Sequence, residues 1–195
     1  MKHIITKIRL KIFNYKRRFQ TILGIRNLIY AKFWNISIGK NSKFRGHCYF
    51  RTHPNSRIKI GNSFECVSIT KESNLIKCPC KIQTLEKDAK IIIGNNVGMS
   101  GCIISCFNKI TIGDDVKIGG NTTIMDGDFH KEDPRSGMPK EIIIDNNVWI
   151  GYSCIILKGV HIGKNSIIGA GSIVTKDIPE NSLAAGNPCK VIKSI

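Results

Sequence analysis

Acidic side chains are scarce in this sequence, and its first 34 residues contain none. The 195 residues include 14 Asp and Glu against 30 Lys and Arg, which gives a formal net charge of +16 at pH 7. Nine of the basic residues fall within residues 1–34. Such a chain attracts an anionic membrane surface or an acidic substrate. Nucleic acid is not predicted as a partner, because no base-reading motif accompanies the charge.

Long apolar runs are also missing. No stretch approaches the roughly 20 apolar residues that a membrane-spanning helix requires. Charges interrupt every apolar run near the start, so no secretory signal is visible. We therefore expect a cytoplasmic protein with a single core built from its 42% hydrophobic residues. The eight cysteines lack the paired spacing of a zinc site and are predicted to be reduced thiols.

A six-residue repeat runs through the C-terminal half of the chain. Residues 144–179 divide into six hexads, and each opens with an aliphatic residue: Ile144, Ile150, Ile156, Ile162, Ile168 and Val174. A step of six scatters such residues around an α-helix, but in extended chain it places them all on one face. Three hexads make one triangular coil, stacked on the next at roughly 4.8 Å. The sequence therefore predicts an all-β fold, a parallel β-helix of hexapeptide repeats.

The repeat also divides the chain into predicted regions. Residues 1–34 are predicted to form a basic amphipathic helix that either caps the β-helix or attaches to an anionic membrane, and both alternatives stay open. Residues 35–178 form the β-helix, with irregular coils at 65–90. A loop is predicted to leave the β-helix at 126–140, because the aliphatic repeat stops there and two prolines appear. Residues 179–195 form a C-terminal tail.

Histidine offers the clearest candidate for catalysis. Of the five histidines, only His130 lies in the loop, among polar side chains that include Asp126 and Asp128. Loops that interrupt a rigid repeat often carry function. A surface histidine without function is the alternative, and spacing alone does not decide between the two.

Four motifs occur in order along the second half of the chain: DGDFH at 126–130, VWIG at 148–151, IGAGSIVTKD at 168–177 and AGNP at 185–188. This series resembles the hexapeptide-repeat acyltransferases, in particular the branch with maltose, galactoside and polysaccharide O-acetyltransferases. The resemblance covers about residues 90–195. It implies a left-handed coil, an exception to right-handed crossovers. It also implies acetyl-CoA as co-substrate, no metal, and a homotrimer with active sites between neighbouring subunits.

The resemblance also assigns roles to residues. His130 would be the general base that takes the proton of an acceptor hydroxyl. Asp126 or Asp128 would orient its imidazole, or would serve as a turn carboxylate. The positions that match the family's CoA groove are Trp149, Gly151, Tyr152, Ala170, Thr175, Lys176, Lys190 and Lys193. The last two stand where the family often has arginines near the CoA phosphates. An Asn-containing motif that helps hold the acceptor in sugar acetyltransferases is replaced here by residues 98–101, so Ser100 is the nearest polar candidate for that role.

These roles imply an acetyl-CoA-dependent O-acetyltransferase that modifies a saccharide or a lipid-linked glycan in surface polysaccharide biosynthesis, at the inner face of the membrane. An antibiotic or serine acetyltransferase stays open. A γ-type carbonic anhydrase would need a third zinc histidine at a suitable spacing from His130 and His161, and the sequence has none. A non-catalytic scaffold is the remaining alternative.

Overall fold

The computed structural model describes residues 6–7, 10–11, 24–70, 75–130 and 132–195. Residues 24–33 form helix α1. The strands are β1 (Ser37–Ile38), β2 (Lys43–Arg45), β3 (Tyr49–Arg51), β4 (Arg57–Ile60), β5 (Glu65–Val67), β6 (Lys81–Thr84), β7 (Lys90–Ile93), β8 (Gly98–Ser100), β9 (Ile103–Cys106), β10 (Lys109–Ile112), β11 (Lys117–Ile118), β12 (Thr123–Met125), β13 (Ile142–Ile144), β14 (Trp149–Ile150), β15 (Ile155–Ile156), β16 (His161–Ile162), β17 (Ile167–Ile168), β18 (Ile173–Val174), β19 (Ser182–Gly186) and β20 (Cys189–Ser194).

The strands form three sheets, one on each side of a triangular prism. Sheet A contains β1, β4, β7, β10, β13 and β16. Sheet B contains β2, β5, β8, β11, β14, β17, β19 and β20, and sheet C contains β3, β6, β9, β12, β15 and β18. As far as β18, successive strands visit A, B and C in turn, and each pairs in parallel with the strand three positions later. The prediction of a left-handed parallel β-helix is confirmed.

The core consists of inward-facing side chains stacked in register. Ile60, Ile93, Ile112, Ile144 and Ile162 form one column across sheet A, and none is more than 2% exposed. The period of six is even, so the first residue of every hexad faces the same way in extended chain. The aliphatic residues that repeat in the sequence are thus the ones that form these columns.

Asparagines occupy the turn positions at the edge between sheets A and B, named the A–B edge. Asn147, Asn165 and Asn181 occupy the same place in consecutive coils, with φ of 57°, 61° and 54°. Asparagine adopts this left-handed region more readily than most residues. The amide of Asn147 donates to that of Asn165 (3.1 Å), which donates in turn to that of Asn181 (2.8 Å). The ladder ties successive coils together at this edge.

The irregularity expected over residues 65–90 lies in the long connection at 68–80, on the edge between sheets B and C (the B–C edge). The strands on either side of it, β5 and β6, pair in register with β8 and β9. Their inward positions are filled by Cys66 and Ile82, both at most 1% exposed. A cysteine in place of an aliphatic residue, followed by a long insertion, hides the repeat in the sequence. Residues 71–74 lie outside the described part of the chain.

Helix α1 covers the first coil. The Asn27 side chain is 0% exposed; its amide donates to the Gly46 carbonyl (2.6 Å) and its oxygen accepts from the Cys48 N–H (3.0 Å). Ala31 is buried on the same side of the helix. These contacts join α1 to the turn between β2 and β3. Most of the basic helix predicted before residue 24 lies outside the described residues.

The residues expected to form a C-terminal tail, 179–195, contain β19 and β20. Strand β19 continues sheet B beside β17, and β20 turns back antiparallel to it as the last strand of that sheet. Lys190 and Lys193 both lie on β20. The predicted phosphate-contacting lysines therefore belong to the same sheet as Trp149.

Candidate active site

The predicted site residues fall on two opposite sides of the prism. Sheet B and the adjoining B–C edge carry Ser100, Trp149, Gly151, Tyr152, Ala170, Lys190 and Lys193. The edge between sheets C and A, named the C–A edge, carries Asp126, Asp128, His130, Thr175 and Lys176. In a triangular prism this edge lies opposite sheet B. A single chain therefore brings only Thr175 and Lys176 of the predicted CoA residues to the edge that carries His130, and the others lie on the opposite side.

The loop that carries His130 leaves the C–A edge after β12. Its base is closed by a backbone hydrogen bond, in which the Lys140 N–H donates to the Asp126 carbonyl (2.9 Å). Within the loop, the Asp133 N–H donates to the His130 carbonyl (3.2 Å). His130 itself is exposed. Its imidazole is therefore open to a group that approaches from outside the chain.

Asp126 is a buried carboxylate that holds the preceding coil. Its side chain is 0% exposed and accepts hydrogen bonds from the backbone N–H groups of Phe107 (2.6 Å), Asn108 (2.9 Å) and Lys109 (2.7 Å). These donors belong to the turn between β9 and β10 and to the first residue of β10. The Cys106 thiol also lies 3.4 Å from this carboxylate. Asp126 thus has the turn-carboxylate arrangement, one of the two alternatives that the sequence leaves open.

Asp128 pairs with a lysine that the sequence analysis did not single out. The Lys158 ammonium donates to the Asp128 carboxylate (2.5 Å) and also to the Gly137 carbonyl (3.3 Å). The Ser136 hydroxyl lies 3.4 Å from the same carboxylate oxygen. Lys158 therefore joins the two sides of the loop around His130. The sequence offers no signal for it, because Lys158 occupies a corner position where many polar residues fit.

The hydrogen bond from Lys158 lowers the pKa of Asp128 below its usual value. A carboxyl group whose pKa is lowered in the folded chain stabilises the fold at neutral pH. This stabilisation is lost as the pH falls through the lowered pKa. The contact between Asp128 and Lys158 is therefore intact at the pH at which acyl transfer would be measured.

Replacing Lys158 with methionine is expected to speed hydrogen–deuterium exchange in the loop by up to about fivefold, the scale of a surface ion pair. The K158R variant keeps the charge and serves as the control with near-normal exchange. Mass spectrometry of peptides from residues 126–140 provides the measurement. Equal exchange in K158M and the unchanged protein would show that Lys158 does not hold the loop.

Sheet B presents an outward column of side chains that is aligned in register. Lys117, Trp149, Ile167, Leu183 and Lys193 occupy matching positions on five strands that are neighbours in the sheet. Trp149 is 56% exposed, so its indole lies on the surface. Three strand spacings separate it from Lys193, which is roughly 14 Å along the prism. An extended ligand with an anionic end could contact both residues.

A shallow groove lies at the other end of this column. It has a volume of about 220 Å³ and includes Glu65, Gly98, Ser100, Lys117 and Trp149 in its lining. A Cβ placed on Gly98 would meet no atom within 4 Å, so the missing side chain opens the groove. The groove brings together Ser100, predicted to contact the acceptor, and Trp149, predicted to contact CoA. Lys117 and Glu65 were not predicted.

The B–C edge beside Trp149 is closely packed. A Cβ on Gly151 would lie 2.6 Å from the backbone nitrogen of Ala170, so the coil itself requires glycine there. The Tyr152 hydroxyl accepts a hydrogen bond from the Asn121 amide (2.8 Å), which fixes its ring at the edge. Ala170 is exposed next to this packing. Thr175 and Lys176 are also exposed, on the C–A edge.

The contacts and burial of His161 and the cysteines indicate structural roles. Nε2 of His161 lies 2.9 Å from a carboxylate oxygen of Asp145. All eight cysteines are free thiols, and seven are buried. Burial raises the pKa of the Cys154 and Cys189 thiols, which makes them poor nucleophiles. Within the described ranges, no group of three or more His, Cys, Asp or Glu side chains is arranged to hold a metal ion.

Comparison with known proteins identifies the class of the repeats. Residues 141–176 match the family described as bacterial transferase hexapeptide (six repeats). Residues 141–176 of this left-handed β-helix therefore carry hexapeptide repeats, and the predicted resemblance of the chain to the hexapeptide-repeat acyltransferases, in the sugar O-acetyltransferase branch, is confirmed.

Two galactoside O-acetyltransferases are among the curated relatives. The chain is 52% identical to that of Escherichia coli (strain K12) over 113 residues, which cover 52% of this chain and 56% of that protein. It is 44% identical to that of Lactococcus lactis subsp. lactis (strain IL1403) over 115 residues, which cover 52% and 55%. The matches thus span just over half the length of these relatives.

Solved structures share the fold over most of the chain. A maltose O-acetyltransferase from Clostridium difficile 630 is 27% identical with a TM-score of 0.51, and the match covers 95% of this chain and 87% of that one. AntD, an N-acyltransferase from Bacillus cereus crystallised with dTDP and 3-hydroxybutyryl-CoA, has a TM-score of 0.64 at 18% identity, over 85% and 86% of the two chains. At this identity the second likeness concerns the fold alone.

Proposed function

We propose that this protein is an acetyl-CoA-dependent O-acetyltransferase that modifies a hydroxyl of a saccharide during surface polysaccharide biosynthesis. The observation that carries the proposal is the exposed His130 on a loop closed at its base, in a chain that is similar to galactoside and maltose O-acetyltransferases. The excess of basic residues supports a glycan or a lipid-linked glycan as acceptor.

The chemistry follows from the acceptor. A sugar hydroxyl is a weak nucleophile, so His130 accepts its proton as the oxygen attacks the thioester carbonyl of acetyl-CoA. The resulting tetrahedral oxyanion is stabilised by a backbone N–H of a nearby coil. The carbon–sulfur bond then breaks, and the proton held by His130 passes to the CoA thiolate. The products are the O-acetyl sugar and free CoA.

The working unit of this proposal is a homotrimer. His130 lies on the C–A edge, whereas Trp149 and the groove lie on the opposite sheet B. A complete site therefore requires the C–A edge of one subunit to approach sheet B of the next. Repeating that contact around a threefold axis closes a ring in which every subunit uses both surfaces.

Release of the CoA thiol tests the activity. The protein is incubated with acetyl-CoA and a panel of neutral and acidic saccharides, and the free thiol is measured with a thiol reagent. Thiol release that depends on the acceptor, together with an O-acetyl sugar detected by mass spectrometry, supports the proposal. Slow release at the same rate with and without every acceptor would contradict it.

We further propose that the protein acts in the cytoplasm, at the inner face of the membrane. No helix of the described segments is long and apolar enough to cross a bilayer. The outer face of α1 instead exposes four large apolar side chains: Ile25, Leu28, Ile29 and Phe33. Arg26 and Lys32 lie on the same helix, which has no acidic residue. An apolar face with basic neighbours is typical of a helix that lies on an anionic membrane surface.

The double variant I29E/F33E is expected to reduce flotation with vesicles of phosphatidylserine and phosphatidylcholine by about tenfold or more, since it removes two apolar contacts and adds negative charge. Co-flotation of protein and vesicles in a density gradient provides the measurement. The I195E variant, which alters an exposed apolar residue outside α1, is the control. If I29E/F33E floats with the vesicles as well as the unchanged protein does, whatever its oligomeric state, this face of α1 does not bind the membrane.

A further inference from the structure

We infer that the groove on sheet B receives a saccharide that carries a carboxylate or phosphate group, and that Lys117 contacts this anionic group. The inference rests on the proposed function, because it names the class of acceptor for that site.

The shape comes from one missing side chain. Glu65, Gly98 and Lys117 are aligned in register on β5, β8 and β11, so Gly98 leaves a gap between two charged side chains. Strands two apart in a sheet are separated by roughly 10 Å. With a volume of about 220 Å³, the groove can hold a single sugar ring.

The charges in the groove do not cancel. The Glu65 carboxylate lies 3.4 Å from the Lys43 ammonium on the neighbouring strand β2, so it already has a cationic partner. Lys117 makes no ion pair with any residue that the structure describes. One positive charge is therefore left in the groove, and a carboxylate or phosphate on the ligand would be its counter-ion.

The rest of the lining suits a sugar. Trp149 is next to Lys117 in register and is more than half exposed, so its ring offers an apolar face against which a sugar ring can pack. The Ser100 side chain adds a hydroxyl that can hydrogen-bond to a sugar hydroxyl. Lys193, predicted to contact CoA phosphate, is four strands from Lys117 along the column. The two lysines therefore contact different anions.

The whole chain favours the same ligands. With a net charge of +16, the protein attracts anionic saccharides over neutral ones at a distance, and this effect weakens with salt. Loss of a single lysine changes that general attraction little. A large effect confined to Lys117 would therefore report a local contact.

The test compares the unchanged protein with K117Q on matched acceptors. Methyl galactopyranoside is the neutral acceptor, methyl galactopyranosiduronate tests the carboxylate, and methyl galactopyranoside 6-phosphate tests the phosphate. We expect KM for at least one charged acceptor to be about tenfold lower than for the neutral one, as for a charge-assisted hydrogen bond. K117Q should remove that preference, so that its KM values for the charged and neutral acceptors lie within about twofold of each other.

The control variant is K59Q. It removes the same charge from an exposed position on β4, in sheet A, and should leave every KM unchanged. Equal KM values for charged and neutral acceptors in the unchanged protein would overturn the inference. An equal loss of the preference in K59Q and K117Q would also overturn it, since that result reports net charge alone.

A binding measurement separates the inference from the proposed function. Saturation-transfer NMR with the three sugars, in the absence of acetyl-CoA, detects the groove whether or not acyl transfer occurs. Preferential binding of a charged sugar that K117Q abolishes would support the inference, whether or not CoA is released. Absence of CoA release with every acceptor would contradict only the proposed function. Absence of any charge preference in binding would overturn the inference alone.

Discussion

Replacing His130 with alanine is expected to lower kcat/KM for acetyl transfer by about 10²–10⁴-fold, the usual contribution of a general base. The hydroxyl would then have to lose its proton to water as it attacks the thioester. The rate of CoA release at saturating acetyl-CoA provides the measurement. Because His130 is exposed on a loop, circular dichroism and the unfolding midpoint should not change. A fully active H130A protein would exclude His130 as the base.

Co-expression of two variants gives a second, independent readout of the same site. H130A lacks the imidazole, and W149A lacks the exposed indole on the opposite side of the prism. If each site combines His130 of one subunit with sheet B of its neighbour, random assembly leaves about a quarter of the contacts with both groups intact. Mixed oligomers should then be more active than either variant alone. No gain on mixing would contradict a site shared between subunits.

Replacing Asp126 with alanine is expected to lower the free energy of unfolding by about 3–5 kcal/mol. The change leaves three backbone N–H groups, those of Phe107, Asn108 and Lys109, without their acceptor at a buried position. Each such loss costs about 1–3 kcal/mol, and water that enters the cavity recovers part of it. Urea unfolding, followed by circular dichroism at one fixed protein concentration, measures the change, since the stability of an oligomer depends on concentration.

The matched control is D128A. Asp128 lies in the same loop, but its carboxylate is 41% exposed and pairs with Lys158 at the surface, so the urea midpoint should change little. D126A should therefore lose stability, whereas D128A should mainly increase exchange in the loop. Equal midpoints for the two variants would show that the turn at 107–109 does not depend on Asp126.

The hexads allowed the fold to be predicted, because in extended chain an even period places the first residue of every hexad on the same face. Ile144, Ile150 and the aliphatic residues at later hexad openings are buried as the pattern requires. The coil near Cys66 was hidden for two reasons. A cysteine fills the aliphatic position, and the connection at 68–80 interrupts the period. A six-residue period cannot be traced through an insertion, because the insertion can have any length.

The site was less predictable than the fold. A turn carboxylate and a carboxylate that orients histidine look the same in a sequence, since they differ only in the direction of the side chain. The contact between Asp128 and Lys158 joins residues 30 positions apart through the return of a long loop. Lys117 became a candidate only once register placed it beside Gly98 and Trp149. Such pairings depend on loop length and strand register, which single residues do not encode.

Strand β20 also determines how copies of this protein can stack. A parallel β-helix ends in a row of unpaired N–H and C=O groups, and such a row is a template for growth into fibres. In sheet B the final row belongs to β20, which runs against the direction of the coils and carries Lys190 and Lys193. Helix α1 covers the first coil at the other end. End-to-end growth through sheet B is thereby disfavoured.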